Sequence, residues 1–279
     1  LWSNLLKELE EGVAMPRVFE GALLFRSKPE RTLAMVTAYT AWQARLAEEA
    51  GVDAILVGDS LGMVELGYET TLPVTLGEVL HHAKAVSRGV KALPVVVDLP
   101  FMSYQTGVPA ALKAAGRVLK ETRAVAVKLE GGKEVTPTVR AMVEAGIPVM
   151  GHIGLMPQHV RAMAGYRIQG KTEESASRLL EDALSLEAAG AFSVVIEGTR
   201  SEVARSLTTR LSIPTIGIGA GPYTDGQILV FHDVVGISPS PPKLARAFGK
   251  TSQEARNALT AYASAVREGS FPGPDETYG

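Results

Sequence analysis

The sequence predicts an α/β protein built as a closed (β/α)8 TIM barrel, a single domain with additional C-terminal helices. Three observations predict it. Short runs rich in Val, Ile and Leu recur about eight times along the chain. They are nearly continuous in hydrophobicity instead of alternating, the pattern of strands covered on both faces of a parallel sheet. Helix-like segments lie between them, and a strand–helix repeat gives parallel strands joined by right-handed crossovers. At 279 residues the chain also has the usual size of one such barrel. An open doubly wound sheet is the alternative with the same alternation.

The strands are expected at residues 33–38, 54–57, 94–98, 125–129, 148–152, 193–197, 214–217 and 227–231. Between the first two, residues 41–50 space Trp42, Leu46 and Ala50 as a helix does. Residues 75–88 open with Thr75 and carry Glu78 three positions later, a capping-box spacing. Residues 173–190 set Leu179, Leu180, Ala183, Leu184 and Leu186 on one broad face and end at Gly190. Residues 201–211 form a further helix. The crossover at 219–226 is too short for one. After a Pro-rich loop at 238–242, residues 244–268 are helical in composition and are expected to pack outside the barrel. Residues 1–30 are expected to form an N-terminal helical extension and residues 31–279 the catalytic barrel with its C-terminal helices.

The balance of charge, 28 Lys and Arg against 30 Asp and Glu, gives no nucleic-acid surface. Cysteine is absent, which excludes disulfides, thiolate metal sites and a cysteine nucleophile. No apolar run reaches the ~18 residues that span a bilayer. The first 17 residues lack the basic and apolar regions of a signal peptide. A cytoplasmic enzyme of small molecules is the expectation.

Polar residues fall where chemistry is expected. Five apolar runs end in one: Asp59 in LVGDSLG, Asp98 in VVVDLP, Lys128 and Glu130 in VKLEGG, His152 in VMGHIG and Glu197 in VVIEG. The carboxyl ends of barrel strands form one rim, so these residues are expected to converge on one pocket. Singly, an acid closing a strand is as readily a helix cap: Asp59 could cap the segment after it, and Glu197 the helix at Ser201. Five on different strands are harder to dismiss. Such a charge cluster is unfavourable to bury unless a cation or substrate balances it. Carboxylates with one His and no Cys suit a hard cation such as Mg2+. Lys128 would then face a substrate carboxylate or a developing enolate, and Glu197 would serve as a base. This reading reaches metal-assisted enolate chemistry and leaves the substrate open. Elsewhere, Gly217, Gly219 and Gly221 follow a strand without the GxGxxG spacing, so a tight corner is favoured over a phosphate loop. His81 and His82 are neighbours on one helix and cannot share a face, which points to packing or surface roles.

At these residues the chain resembles the ketopantoate hydroxymethyltransferase family. The resemblance is carried by VTAYTAWQARLAEEAGVDAILVGDSLGMVELGYETTLPVTLGE, VVVDLPFMSYQ, AVKLEGG, GIPVMGHIGL, GYRIQGKT and IPTIGIGAGPYTDGQILVFHD, in one order from about Arg31 onward. It implies a (β/α)8 barrel that transfers a one-carbon unit from 5,10-methylenetetrahydrofolate to 3-methyl-2-oxobutanoate, giving 2-dehydropantoate for pantothenate synthesis. By resemblance Asp59 and Asp98 ligate Mg2+, with Glu130 a metal-side carboxylate. Ser60 and Lys128 bind the keto acid together with the metal-bearing aspartates, His152 lies beside it, and Glu197 accepts the proton. The resemblance further implies a homo-oligomer, commonly a decamer. Thr40 departs from the family, which usually has Asp there, and Met156 stands where Thr or Ser is frequent. A relative that cleaves or isomerises an oxo acid on the same barrel, and a barrel that binds the keto acid without turnover, are the rival readings.

Overall fold

The structure, a computed structural model, describes residues 27–163 and 165–278. Most of the expected N-terminal extension therefore lies outside the described residues. The chain divides into two compact units between Leu229 and Val230.

The first unit holds eight strands: β1 (Leu33–Thr37), β2 (Ala54–Val57), β3 (Val95–Asp98), β4 (Ala126–Glu130), β5 (Val149–Gly154), β6 (Ser193–Glu197), β7 (Thr215–Ile218) and β8 (Gly226–Leu229). Every neighbouring pair is parallel, and β8 returns to pair with β1, closing the barrel in simple sequence order. The open sheet is thereby excluded. The helices are α1 (Ala41–Glu49), α2 (Leu61–Val64), α3 (Leu76–Gly89), α4 (Val108–Glu121), α5 (Thr136–Glu144), α6 (Glu173–Ala188) and α7 (Ser201–Arg210). No helix joins β7 to β8, as the short spacing there requires.

Local chemistry explains the helix starts. Thr75 caps α3 and Glu78 returns its side chain to the Thr75 backbone, a reciprocal capping box. Thr40 does the same for α1 with Gln43, so the residue that departs from the family pattern is itself a competent cap. Thr172 repeats the device with Ser175 at α6. At the β7–β8 corner Gly219 and Gly221 have φ of 60° and 79°, a left-handed backbone that suits glycine.

Inside the barrel the core is Leu33, Met35, Ala54, Leu56, Val96, Ala126, Met150, Val195, Ile216 and Ile228. Strand side chains two apart share a face. The lumen-facing residue two positions beyond Val96 is Asp98. Beyond Ala126 come Lys128 and then Glu130, beyond Met150 comes His152, and beyond Val195 comes Glu197. The apolar core thus passes directly into a charged layer at the carboxyl ends of four adjacent strands.

The second unit contains α8 (Phe231–Val235) and α9 (Thr251–Glu268). Two expectations are corrected here. The apolar run at 227–231 is split: it pairs as strand only to Leu229, and Phe231 opens α8. Periodicity cannot separate a buried strand end from a buried helix start in so short a run. The expected helix at 244–268 begins only at Thr251. Before it, Phe248 N donates to Val234 O at 2.8 Å, and Gly249 passes so close to Val235 and Gly236 that a side chain there would meet backbone. Tertiary contact holds 244–250 out of helical geometry.

Candidate active site

All seven residues expected in the site lie at the carboxyl-terminal rim of the barrel. Asp98, Lys128, Glu130 and His152 are buried on β3, β4 and β5. Register explains their pairing. Asp98 lies opposite Lys128 and Glu130 opposite His152 on neighbouring strands. Lys128 Nζ stands 2.9 Å from Asp98 Oδ1 and 3.2 Å from His152 Nδ1. His152 Nδ1 is 3.5 Å from Glu130 Oε1, and its Nε2 is 3.2 Å from Glu197 Oε2. Glu197, at the end of β6, is the most open of the four carboxylates, with 17% of its side chain exposed.

Asp59 follows β2 and is buried. Its backbone N–H donates to Asp98 Oδ2 at 3.3 Å, which ties the two strand ends together. Its carboxylate caps no helix: the residue before α2 is Ser60, and Asp59 Oδ2 instead accepts from Gln158 Nε2 at 2.9 Å. Nor does Glu197 cap α7, whose cap residue is Arg200. Ser60 Oγ is 2.8 Å from the hydroxyl of the buried Tyr39. Tyr39 is in turn held by Gln43, which accepts its N–H at 2.7 Å, and by His82 Nδ1, 2.7 Å from its carbonyl oxygen. His82 is thus a packing residue, as its helical position suggested.

Gln158 is the residue that sequence reading missed. It is uncharged and sits in the 3-10 turn Pro157–His159, beyond the strand-end positions that drew attention. The available signal was its place in the loop after β5, on the same rim. It is 2% exposed. Its backbone N–H donates to Glu130 Oε2 at 3.0 Å. Its side-chain oxygen lies 2.9 Å from the Tyr104 hydroxyl and 3.2 Å from Gln105 Nε2.

Electrostatics set the character of the cluster. Four carboxylates face two cationic groups. Burial, reinforced by Asp98 and Glu130, pushes the Asp59 carboxyl well above the usual carboxylate range. Burial also raises Asp98, against the pull of Lys128. Burial would raise Glu130 as well, but His152, Lys128 and the Gln158 N–H outweigh it and hold that carboxyl low. Desolvation alone would discharge Lys128, yet Asp98, Glu130 and Asp59 keep its ammonium firmly protonated. His152 is opposed by burial and by Lys128, but Glu130 and Glu197 prevail and raise its imidazole to about 9.

Two buried atoms of this cluster lack aligned partners. Asp98 Oδ1 has the Lys128 ammonium within ion-pair distance but accepts no well-directed hydrogen bond, and His152 Nε2 makes none despite the nearby Glu197. An unsatisfied buried polar group costs about 1–3 kcal/mol, so such atoms are usually reserved for a ligand. Among the described residues no three His, Asp or Glu side chains form a ready-made metal cage. The donor set still fits a hard dication that keeps positions for water and substrate, because it is oxygen-rich, anionic in excess and includes a carboxylate oxygen, Asp59 Oδ1, with no donor among the described residues.

Comparison with known proteins follows the same direction. The family described as ketopantoate hydroxymethyltransferase matches residues 22–274. A 3-methyl-2-oxobutanoate hydroxymethyltransferase of Heliobacterium modesticaldum is 53% identical over 253 residues, covering 90% of this chain and 92% of the relative. One from Thermus thermophilus is 52% identical, covering 91% and 97%. Among solved structures, a phosphoenolpyruvate phosphomutase from Streptomyces platensis superposes with a TM-score of 0.60 at 17% identity, covering 90% of this chain and 88% of that one. A phosphonopyruvate hydrolase gives 0.62 at 13%, covering 94% and 93%. At such identities these structures speak for the barrel fold alone.

Proposed function

The chain belongs to the ketopantoate hydroxymethyltransferase family, and from that premise we propose that its barrel mouth converts 3-methyl-2-oxobutanoate to 2-dehydropantoate with 5,10-methylenetetrahydrofolate as one-carbon donor and Mg2+ as cofactor. The observation that carries the site assignment is the charged layer itself: Asp59, Asp98, Lys128, Glu130, His152 and Glu197 meet at one rim, with a buried acceptor and a buried donor left unsatisfied.

Asp59 and Asp98 would hold Mg2+, with Glu130 on the metal side. A bound Mg2+ would supply Lewis-acid polarisation of the keto oxygen and so favour loss of the C3 proton. The remaining roles belong to the chain. The Lys128 ammonium, fixed by Asp98, offers positive charge to the carboxylate or the developing enolate of the keto acid. Ser60, aligned by Tyr39, offers a hydroxyl to the same substrate. Glu197 takes the proton from C3, and the His152 imidazole, 3.2 Å from its carboxylate, lies beside the substrate. Water hydrolyses both C–N bonds of the folate's methylene bridge, releasing tetrahydrofolate and leaving the one-carbon unit as formaldehyde. The enolate carbon adds to the formaldehyde carbon, and the resulting alkoxide takes back the proton held by Glu197.

We propose in addition that the chain assembles as a homo-oligomer, a decamer by family resemblance. Helix α9 buries none of its residues and presents Leu259, Tyr262 and Val266 at 67%, 56% and 46% exposure, a helical stripe that a second copy would cover. Light scattering at the monomer mass would reject this assembly.

The activity is tested by incubating the protein with both substrates, with and without Mg2+. Formation of 2-dehydropantoate that stops on chelation and resumes on adding Mg2+ is expected. Cleavage of an oxo acid without transfer would assign the barrel to a different reaction.

A further inference from the structure

We infer that Gln158 is a positioning residue, which selects the oxygen that each of two site carboxylates leaves free for a divalent cation. The inference rests on the metal assignment proposed above and extends it to a residue outside the ligand set.

The geometry is specific. Gln158 engages Asp59 through its side chain and Glu130 through its backbone, and both bonds take the Oδ2 or Oε2 atom. Asp59 Oδ1 is left with no protein donor among the described residues, and Glu130 Oε1 has only the longer contact to His152. One residue therefore bridges two carboxylates that belong to different strands and repel each other. Asp98 differs: its Oδ2 accepts the Asp59 N–H, and its Oδ1 lies 2.9 Å from the Lys128 ammonium.

The orientation of the amide is determined by its surroundings. Nε2 also donates to Leu99 O at 2.9 Å, and a carbonyl oxygen can only accept, so the nitrogen must face that side. Oε1 then faces Tyr104 and Gln105. The single Tyr104 hydroxyl proton serves either Gln158 Oε1 or Glu130 O, 2.8 Å away, while the hydroxyl oxygen accepts the Glu130 N–H at 3.1 Å. Gln105 covers Gln158 when Tyr104 turns to Glu130. An amide this tightly fixed, 2% exposed, is unlike a surface loop residue and holds Asp59 in one rotamer.

A dication requires its anionic oxygens in place before it arrives, and outer-sphere hydrogen bonds to ligating groups typically contribute about 10- to 100-fold in metal affinity. Gln158→Met keeps the length of the side chain and removes both polar ends. Binding of Mn2+ to the full-length protein, without either substrate, is read by electron paramagnetic resonance alongside metal-free thermal melting. Gln158→Met is expected to weaken Mn2+ by about 10-fold or more and to broaden the spectrum of the bound ion. The control is Glu48→Gln, at the opposite end of the barrel, which disturbs folding contacts without touching the mouth and should leave Mn2+ affinity at the parental value. Parental affinity and spectrum in Gln158→Met, with Asp59→Asn still losing the ion, would overturn the role of Gln158 and leave the metal assignment standing. Equal losses in Gln158→Met and Glu48→Gln would reduce the effect to general destabilisation and also overturn it. A parent protein that binds no Mn2+ would overturn both.

Discussion

The two ends of the barrel treat carboxylates in opposite ways. At the amino-terminal end each acid has its own donors. Asp53, just before β2, accepts from Ala34 N at 2.8 Å and from both terminal nitrogens of Arg31. Asp225, just before β8, accepts from Lys28 at 2.7 Å and from the Thr215 N–H and hydroxyl at 2.9 and 3.0 Å. Glu48 and Glu187, near the ends of α1 and α6, accept the backbone N–H groups that lead into β3 and β7. At the carboxyl-terminal end Asp59, Asp98 and Glu130 crowd one another and share two cations. The first end satisfies charge and stabilises the fold. The second leaves charge unbalanced, a configuration that is unfavourable for folding and marks a candidate functional site.

The largest expected effect lies at the mouth. Glu197→Gln should lose transfer and deuterium exchange at C3 of 3-methyl-2-oxobutanoate together, by about 10² or more, the usual scale of general-base catalysis. Binding of Mg2+ and of the keto acid should change little. Exchange needs enolisation but no folate, so near-parental exchange with lost transfer would remove Glu197 from the proton step.

Stability separates the two ends next. Asp53→Asn removes the charge from a satisfied acceptor and should destabilise the protein by about 2 kcal/mol, lowering Tm by about 4–8 °C. Turnover at a permissive temperature should stay parental. Asp59→Asn should do the reverse. It relieves repulsion from Asp98 and Glu130 while keeping an acceptor for Gln158, so the chelator-treated protein should melt about 2–4 °C higher and be inactive at ordinary Mg2+. A lower Tm for Asp59→Asn would show that the mouth is as well balanced as the base, and the contrast would fail.

The smallest effect is a pH dependence. The Glu48 carboxyl is opposed by burial, yet the N–H groups of Ala92, Lys91 and Leu93 hold it below its ordinary value of 4.5. A depressed folded-state pKa means that the unfolded chain binds the proton more tightly. The contribution of Glu48 is therefore fully present above about pH 4.5 and is lost as pH falls through the lower folded-state value. The difference in Tm between the parent and Glu48→Gln should be constant near neutrality and shrink below that point. A difference that grows on acidification would contradict the sign.

How much of this was legible in the sequence differs by element. β2 and β6 coincide with the expected runs because polar or glycine residues mark their ends: Asp53 and Gly58 flank β2, and β6 opens at Ser193 and closes at Glu197 before Gly198. The start of α9 was not legible, because a helical composition at 244–250 is overridden by the contact of Gly249 with Val235 and Gly236. Within the site, Asp59, Asp98, Lys128, Glu130, His152 and Glu197 were visible as charged ends of apolar runs, a local signal. Gln158 was not, because its importance depends on partners 99 and 28 positions away in the chain.

The sequence alone determined the alternation of strands and helices, the two-residue periodicity that carries core residues into the charged layer, and the hard-oxygen character of the site, since all three are properties of residue type and spacing. Tertiary structure decided the closure of β8 onto β1, the opposition of Asp98 to Lys128 and of Glu130 to His152, and the bridging of Asp59 and Glu130 by Gln158. Those depend on register and on distance through space. One residue of slip in a strand would turn the charged layer outward while leaving composition and spacing unchanged.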